Sequence, residues 1–421
     1  MFKYLVAFTL LTPLIGIYLV ESGEYAGSVG KSGVDYGAFE VFFMYAAIVS
    51  LVAISIVAFK KGKMKRLEVE YKKRMEARDL NDSSYYVFSI AVLVFNLMLL
   101  LVFLFGFNAI GVWMGRISKG VFRTNLGPFG SIAFNLTKIT IPAIFAYSTV
   151  LYMQSVKKKT YTYLWLANIF LILILGSVWG FKTTGMMMLM PAFVLLFWKV
   201  SVKIMLKIAA AFFAVIYISF QAFDVDEVGD VDPFTLLFHR LTIYQGDVSW
   251  LLWGKYMQGD EFHDYFPTLL AGIGDTALVK LFDVDKENLV EWMGYHFSYI
   301  LNYTAGIPLT VVAEGHNVVG TPFSEGLIAG GFLGIIYIAI LVGLVVGLVF
   351  NLIKKYLLTS NKVMSALLAT YFCFNVFPWL TGGSVVVLYH ISNLFGYILT
   401  LAVLDMLLMS VKYLQNKPRL T

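Results

Sequence analysis

The sequence predicts an all-α protein, a polytopic transmembrane helix bundle with about ten spans. Of its 421 residues, 59% are hydrophobic and only 14% are charged, whereas a soluble globular protein carries roughly 25% charged residues. The mean hydropathy of +0.78 agrees with this deficit of charge. A water-soluble fold could not hide so much apolar surface, because its own surface grows with chain length. Lipid is therefore the expected solvent.

Ten apolar runs define the predicted spans, since a span needs roughly 20 mostly apolar residues. The first run follows Lys3 and is expected to be an uncleaved span rather than a signal peptide. The connection from Gly180 to Gly185 is so short that it predicts either a tight hairpin or a re-entrant segment. The predicted spans cover residues 4–20, 37–59, 84–107, 128–153, 162–180, 183–199, 204–223, 325–350, 363–381 and 385–409.

Lysine and arginine cluster in the loops on one side of the predicted bundle. That side receives the basic loop 60–82, both termini and 22 of the 32 Lys and Arg residues. Short loops rich in Lys and Arg stay in the cytoplasm, so we place this side and both termini there. The net charge of +6 comes mainly from these clusters between apolar runs. A nucleic-acid partner is therefore not expected.

A long stretch, residues 224–324, is predicted to lie outside the membrane on the opposite face. It separates the first seven spans (1–223) from the last three spans and a cytoplasmic tail (325–421). It holds 15 acidic and four basic residues, and its many aromatic residues and leucines exclude disorder. Asp232 followed by Pro233 is typical of a helix start. We therefore expect a folded, partly helical and acidic external loop.

Several cations adjoin apolar runs on this external side and are candidates for binding an anion. A cation near hydrocarbon is costly unless it is paired, so such residues are functional candidates. Alternatively, each is an interface residue whose side chain snorkels to water. Arginine offers a planar fork that matches phosphate, so converging cations would suit a lipid diphosphate. Lys138, within the fourth predicted span, either faces the bundle or snorkels outward. The other cations are Arg116, Lys119, Arg123, Lys182 and Arg240.

An imidazole and two carboxylates near the start of the eighth predicted span are candidates for a general base. Glu314 and His316 lie shortly before Glu325 in the sequence. They could deprotonate a hydroxyl group if they reach one site, or they could be solvent-exposed loop residues. The five histidines are scattered, and the sequence has no phosphate-binding Gly-rich loop, HExxH or CxxC motif. Neither a metal nor another cofactor is therefore expected.

The stretch from Phe323 to Gly334, with Glu325 and recurring glycines, resembles a span of the Wzy-type O-antigen polymerases. In that family, this span follows the large periplasmic loop. The turn around Lys182 resembles the family's turn between two spans, with Lys where Arg is usual. Arg240 lies where the family has a basic residue. The pair after Glu314, a histidine and an asparagine, resembles a motif of the related O-antigen ligases.

The resemblance implies a GT-C-like glycosyltransferase in the bacterial inner membrane that makes O-antigen or a related surface polysaccharide of lipopolysaccharide. Its donor and acceptor would be glycans on undecaprenyl diphosphate, and it would need no metal. A chain-length regulator would be a further partner. Alternatives are an O-antigen ligase-like transferase, a transporter or flippase of a lipid-linked oligosaccharide, and a non-enzymatic assembly protein. The implied diphosphate-binding residues are Arg116, Arg123, Lys182 and Arg240, and the implied catalytic residues are His316, Glu325 and Glu314.

Overall fold

Most of the described residues are helical and none of them lies in a β-strand, which confirms the all-α class. The structure is a computed structural model, and it describes residues 1–25, 30–76, 84–114, 116–117, 122, 126, 129–155, 159–179, 184–198, 200–207, 210, 214, 233–260, 262, 265–283, 297–306, 318, 320–359 and 361–416. The α-helices are Phe2–Glu21, Ala38–Phe59, Lys61–Glu76, Ser84–Leu101, Ala109–Trp113, Phe129–Asn135, Ile141–Gln154, Lys159–Val178, Thr184–Leu196, Pro233–Phe238, Tyr244–Met257, Asp275–Phe282, Phe297–Thr304, Pro322–Leu358, Lys362–Tyr371, Phe377–Gly382 and Ile391–Asn416. Turns of π-helix (Val102–Gly106, Leu136–Thr140, His239–Ile243, Phe372–Val376) and of 3₁₀-helix (Phe266–Ile273, Val385–Leu388) join or extend them.

Within the described residues, 8 helices are long and apolar enough to cross a membrane, so the chain is a multi-pass membrane protein. The predicted sixth span is a helix of only 13 residues, Thr184–Leu196. At about 1.5 Å per residue it reaches roughly 20 Å, less than the hydrocarbon thickness. The predicted seventh span, 204–223, lies mostly outside the described residues. The spans are Phe2–Glu21 (first), Ala38–Phe59 (second), Tyr85–Gly106 (third), Ile132–Gln154 (fourth), Lys159–Val178 (fifth), Pro322–Leu358 (the kinked helix), Lys362–Gly382 (penultimate) and Val385–Tyr413 (last).

The second span and the kinked helix form the most extensive pair in the bundle, and they run parallel. Gly343 of the kinked helix lies against Val52 of the second span. Eight residues further along, Asn351 donates a hydrogen bond to the carbonyl oxygen of Ile56 (3.0 Å). The contacts advance in the same direction along both helices. The predicted order of spans requires this direction, because both helices leave the external face.

An ion pair joins two of the basic segments at one end of the bundle. Lys354, near the end of the kinked helix, contacts Glu68 of helix Lys61–Glu76 at 3.2 Å. A partly exposed surface pair of this kind is worth only about 0–1 kcal/mol, so it marks proximity rather than stability. The two segments that the sequence assigned to one side thus share one end, which we call the basic end.

At the opposite end, the first span caps the second. The Glu21 carboxylate accepts hydrogen bonds from the backbone N–H groups of Tyr36 (2.9 Å), Ala38 (3.0 Å) and Phe39 (3.1 Å). These are donors at a helix N-terminus, which carries partial positive charge and favours a carboxylate. Glu21 therefore fixes the hairpin between the first two spans.

The described part of loop 224–324 is folded against this same end. Helix Tyr244–Met257, here called the cap helix, packs on the first span, with Gly246 against the backbone of Ile17. The indoles of Trp250 and Trp253 donate hydrogen bonds to the backbone carbonyls of Val34 (3.0 Å) and Tyr36 (2.9 Å). Burial of two large aromatic side chains with satisfied N–H groups fixes the cap helix to the bundle.

We expect Gly246→Ala to detach the cap helix from the first span. An added Cβ would lie 2.5 Å from both the Ile17 nitrogen and the Pro13 carbonyl oxygen, which are backbone atoms that cannot rotate away. Overpacking of this kind costs about 1–3 kcal/mol, so the thermal unfolding midpoint of the detergent-solubilised protein should fall. Gly62→Ala is the control, since its Cβ meets nothing within 4 Å. Equal midpoints for Gly246→Ala and wild type would contradict the close crossing.

Candidate functional site

The kinked helix begins beneath the cap helix and is fastened to it by hydroxyl groups. Pro322 is its first residue, a position that tolerates proline because the missing N–H has no helical partner there. Ser249 of the cap helix forms hydrogen bonds with Ser324 (2.8 Å) and Thr321 (3.2 Å). All three hydroxyl side chains are buried. The external loop and the membrane bundle therefore meet at the start of the kinked helix.

Two glycines divide the kinked helix into a short arm and a long shaft. Gly330 and Gly331 have non-helical backbone angles, and Gly331 has a φ of 59°, which favours glycine. The arm, residues 322–329, folds back so that a Cβ on Gly326 would lie 2.6 Å from the carbonyl oxygen of Gly334. Only residues without a side chain allow this crossing.

The short arm carries Glu325, whose side chain is only 1% exposed. Its Oε1 accepts hydrogen bonds from the Tyr265 hydroxyl and from the Val385 N–H (2.6 Å). Its Oε2 accepts one from the Trp379 indole N–H (2.8 Å), and the Ser384 N–H also donates to the carboxylate. The donors come from the external loop, the penultimate span and the start of the last span. One carboxylate thus holds three parts of the chain together.

The donors around Glu325 are neutral groups. Burial, and then the negative charge of Glu325, raise the pKa of the Tyr265 phenol well above its ordinary value. At neutral pH the phenol therefore stays protonated, and its O–H group donates a hydrogen bond to the carboxylate. A carboxylate offers about four lone-pair directions, and four donors occupy them here. Glu325 can take a proton from another molecule only after one of these donors moves away.

A second buried carboxylate belongs to the cap helix. Among the described residues, Asp247 (0% exposed) and Glu325 are the carboxylates that are fully buried. One oxygen of Asp247 accepts a hydrogen bond from the Val248 N–H (2.7 Å). The sequence analysis counted Asp247 only as one acid of an acidic loop. Its position just before the apolar residues Trp250 to Trp253 of the same helix is the signal that could have singled it out.

The structure describes only part of the predicted site. Arg116 is exposed and follows helix Ala109–Trp113, and its backbone N–H donates to the Gly111 carbonyl (2.8 Å). The backbone of Arg240 belongs to the π-helical turn His239–Ile243, which packs on the first span. The predicted convergence of these cations stays a prediction. Lys119, Arg123, Lys182, Glu314, His316 and the side chain of Arg240 lie outside the described residues.

Aromatic rings near two of the predicted cations in the sequence contact one another. The Trp179 ring packs against Phe103 (5.7 Å between ring centroids), Phe122 (6.0 Å) and Phe134 (5.7 Å), and we call these four rings the aromatic cluster. In the sequence, Phe122 immediately precedes Arg123, and Trp179 lies three residues before Lys182. The cluster also joins the third, fourth and fifth spans. Two stretches that carry predicted diphosphate-binding residues therefore adjoin one cluster.

Glu325→Gln should destabilise the protein more than Tyr265→Phe. A carboxamide replaces one acceptor oxygen with an NH₂ group, which would face the Trp379 or Val385 donor and leave buried N–H groups unpaired, at a cost of about 1–3 kcal/mol each. Tyr265→Phe removes one donor but leaves no buried donor unpaired. The measurement is the thermal unfolding midpoint in detergent, with Tyr163→Phe, whose side chain is 66% exposed, as control. A Glu325→Gln variant as stable as wild type would rule out this hydrogen-bond arrangement.

The chain matches no family model, no curated protein and no solved structure. Its candidate site is therefore defined by its own contacts. These contacts centre on Glu325, at the point where the external loop meets the membrane spans.

Proposed function

We propose that the protein polymerises undecaprenyl-diphosphate-linked oligosaccharide repeat units by glycosyl transfer at the external face of the bacterial inner membrane. One observation carries this proposal. A buried polar site, with Glu325 held by Tyr265 and Trp379, lies where a folded acidic loop meets apolar spans. A reaction between lipid-linked sugars needs a site at this level, because the lipid stays in the bilayer and the glycan stays in water.

The proposed reaction breaks the bond between the donor's anomeric carbon and its diphosphate oxygen. A hydroxyl group of the acceptor's terminal sugar attacks that carbon, and its proton passes to a base. The diphosphate leaves with the bonding electrons, so positive side chains must stabilise its growing charge. Arg116, Arg123, Lys182 and Arg240 would take this role. This reaction requires neither a nucleotide nor an oxidant.

The proposed base is His316, Glu314 or Glu325. His316 carries an imidazole, the side-chain type that most often acts as a general base in enzymes. Glu325 would act as a base only after the Tyr265 hydroxyl releases it, since four donors engage its carboxylate. We therefore propose His316 or Glu314 as the general base. Glu325 would instead position the arm beneath the cap helix.

The character of the external loop supports a glycan substrate. The loop holds 15 acidic residues, and carboxylates accept hydrogen bonds from sugar hydroxyl groups. Its aromatic side chains offer flat apolar faces on which sugar rings stack. The aromatic cluster supports a nearby diphosphate site, because the stretches carrying Arg123 and Lys182 adjoin it. A chain-length regulator is proposed as a further partner.

Purified protein mixed with lipid-linked repeat units alone should form products in a ladder of whole multiples. Lys182→Ala and Arg240→Ala should slow ladder formation by about 10²-fold or more, as loss of a charge-stabilising donor does in other enzymes. Substrate translocation should be unchanged. Lys203→Ala, an exposed residue outside the proposed site, is the matched control. A chain that translocates the lipid but forms no ladder would be a flippase and not a polymerase.

Cells lacking the gene distinguish the polymerase from the ligase. They should carry surface lipid capped by a single repeat unit, because ligation of one unit continues without polymerisation. A complete loss of capped lipid would exclude the polymerase proposal in favour of the ligase or flippase. The readout is the size distribution of lipopolysaccharide on a gel.

A further inference from the structure

Lys138 is a cation inside a membrane span. It belongs to the π-helical turn Leu136–Thr140 and lies six residues after Ile132, where the fourth span begins. At about 1.5 Å per residue, this places its Cα roughly 9 Å from the start of the span. π-Helical turns within α-helices are frequent at functional sites. Lys138 therefore lies more than one helical turn inside the span rather than at its first residue.

The described residues give the Lys138 ammonium no carboxylate partner. Its contact is with the ring of Phe134, 5.2 Å from the nitrogen to the ring centroid. A cation–π contact offsets only part of the cost of holding a charge in hydrocarbon, so such residues pair with an anion or mark a functional site. The residue is partly exposed and not fully buried in the bundle.

The ammonium is directed toward the end of the bundle that carries the candidate site. Helical side chains lean toward the N-terminus of their helix, and Phe134 lies one turn in that direction. The next residue, Asn135, donates a hydrogen bond to the Ser392 hydroxyl (3.3 Å) in the last span. Ser392 lies seven residues after Val385, whose N–H binds Glu325. The segment 385–392 thus contacts both Glu325 and the helical turn that precedes Lys138.

Polar and aromatic groups line the surroundings of Lys138. The Thr400 hydroxyl donates to the Thr140 hydroxyl (3.1 Å), and both side chains are fully buried. Phe134 belongs to the aromatic cluster around Trp179. The ammonium thus lies over one ring of this cluster, and the hydroxyl pair two residues further along fixes the π-helical turn to the last span.

We propose that Lys138 binds the phosphate group of a membrane lipid. Lysine supplies a compact point charge, which suits phosphate without requiring the two-pronged geometry of arginine. Resting on the proposed function, the ligand is the diphosphate of the undecaprenyl-linked substrate, and Lys138 joins the cations of the external loops. The same chemistry also fits the phosphodiester of an anionic phospholipid, so the two sources need separate tests.

The test uses the full-length protein in phosphatidylcholine nanodiscs, titrated with undecaprenyl diphosphate or with phosphatidylglycerol, with bound lipid counted by native mass spectrometry. Lys138→Gln should weaken binding about tenfold, the usual effect of losing one charge-assisted contact. Lys138→Arg, which keeps the charge, should stay within about threefold of wild type. Lys355→Gln is the matched control, because Lys355 lies over the Tyr356 ring at 5.0 Å at the basic end. It should bind both lipids as wild type does.

Each outcome decides between stated alternatives. Weakening for undecaprenyl diphosphate alone identifies a substrate site, and weakening for both lipids identifies a general lipid-phosphate site. Unchanged binding of both lipids by Lys138→Gln overturns the proposal. So does equal weakening by Lys138→Arg and Lys138→Gln when both variants keep the wild-type unfolding midpoint. Wild-type protein that binds the lipid through Lys138 but forms no ladder would retain this site and reject the proposed polymerase activity.

Discussion

The burial of one carboxylate organises the end of the bundle opposite the basic end. Glu325 is withdrawn from water at the start of a membrane helix, and an unpaired charge there would be prohibitively costly. Four neutral donors stabilise it, and they belong to three different parts of the chain. The external loop, the penultimate span and the start of the last span must therefore be in position together for the carboxylate to be buried.

The membrane bundle was largely predictable because its signals are local. An apolar run is by itself enough to predict a membrane span. The basic segments around Glu68 and Lys354 also share one end of the bundle, as the sequence predicts. The short helix Thr184–Leu196 shows the limit of this reasoning, since an apolar run of sufficient length contains a helix of only 13 residues. Hydropathy depends only on the composition of a segment, whereas the positions of helix ends also depend on packing.

The centre of the site was only partly predictable, because its partners are distant in sequence. Glu325 was identified from its position after the external loop, but Tyr265 lies 60 residues before it and Trp379 lies 54 residues after it. Neither tyrosine nor tryptophan is unusual in so aromatic a chain, so no pattern marks them. Asp247 was missed for a different reason. The sequence analysis counted all acidic residues of the loop together, and such a count treats a buried carboxylate like a solvent-exposed one.

The break at Gly330 and Gly331 has a mechanical consequence. A continuous helix of 37 residues would transmit rotation or tilt from Lys354 directly to Glu325, like a rigid rod. The break interrupts the ladder of backbone hydrogen bonds, while the arm folds back and crosses the shaft closely at Gly326 and Gly334. A tilt of the shaft would therefore reach Glu325 sideways through this crossing and not along a continuous backbone. The carboxylate thus takes its orientation from this crossing together with the donors that surround it.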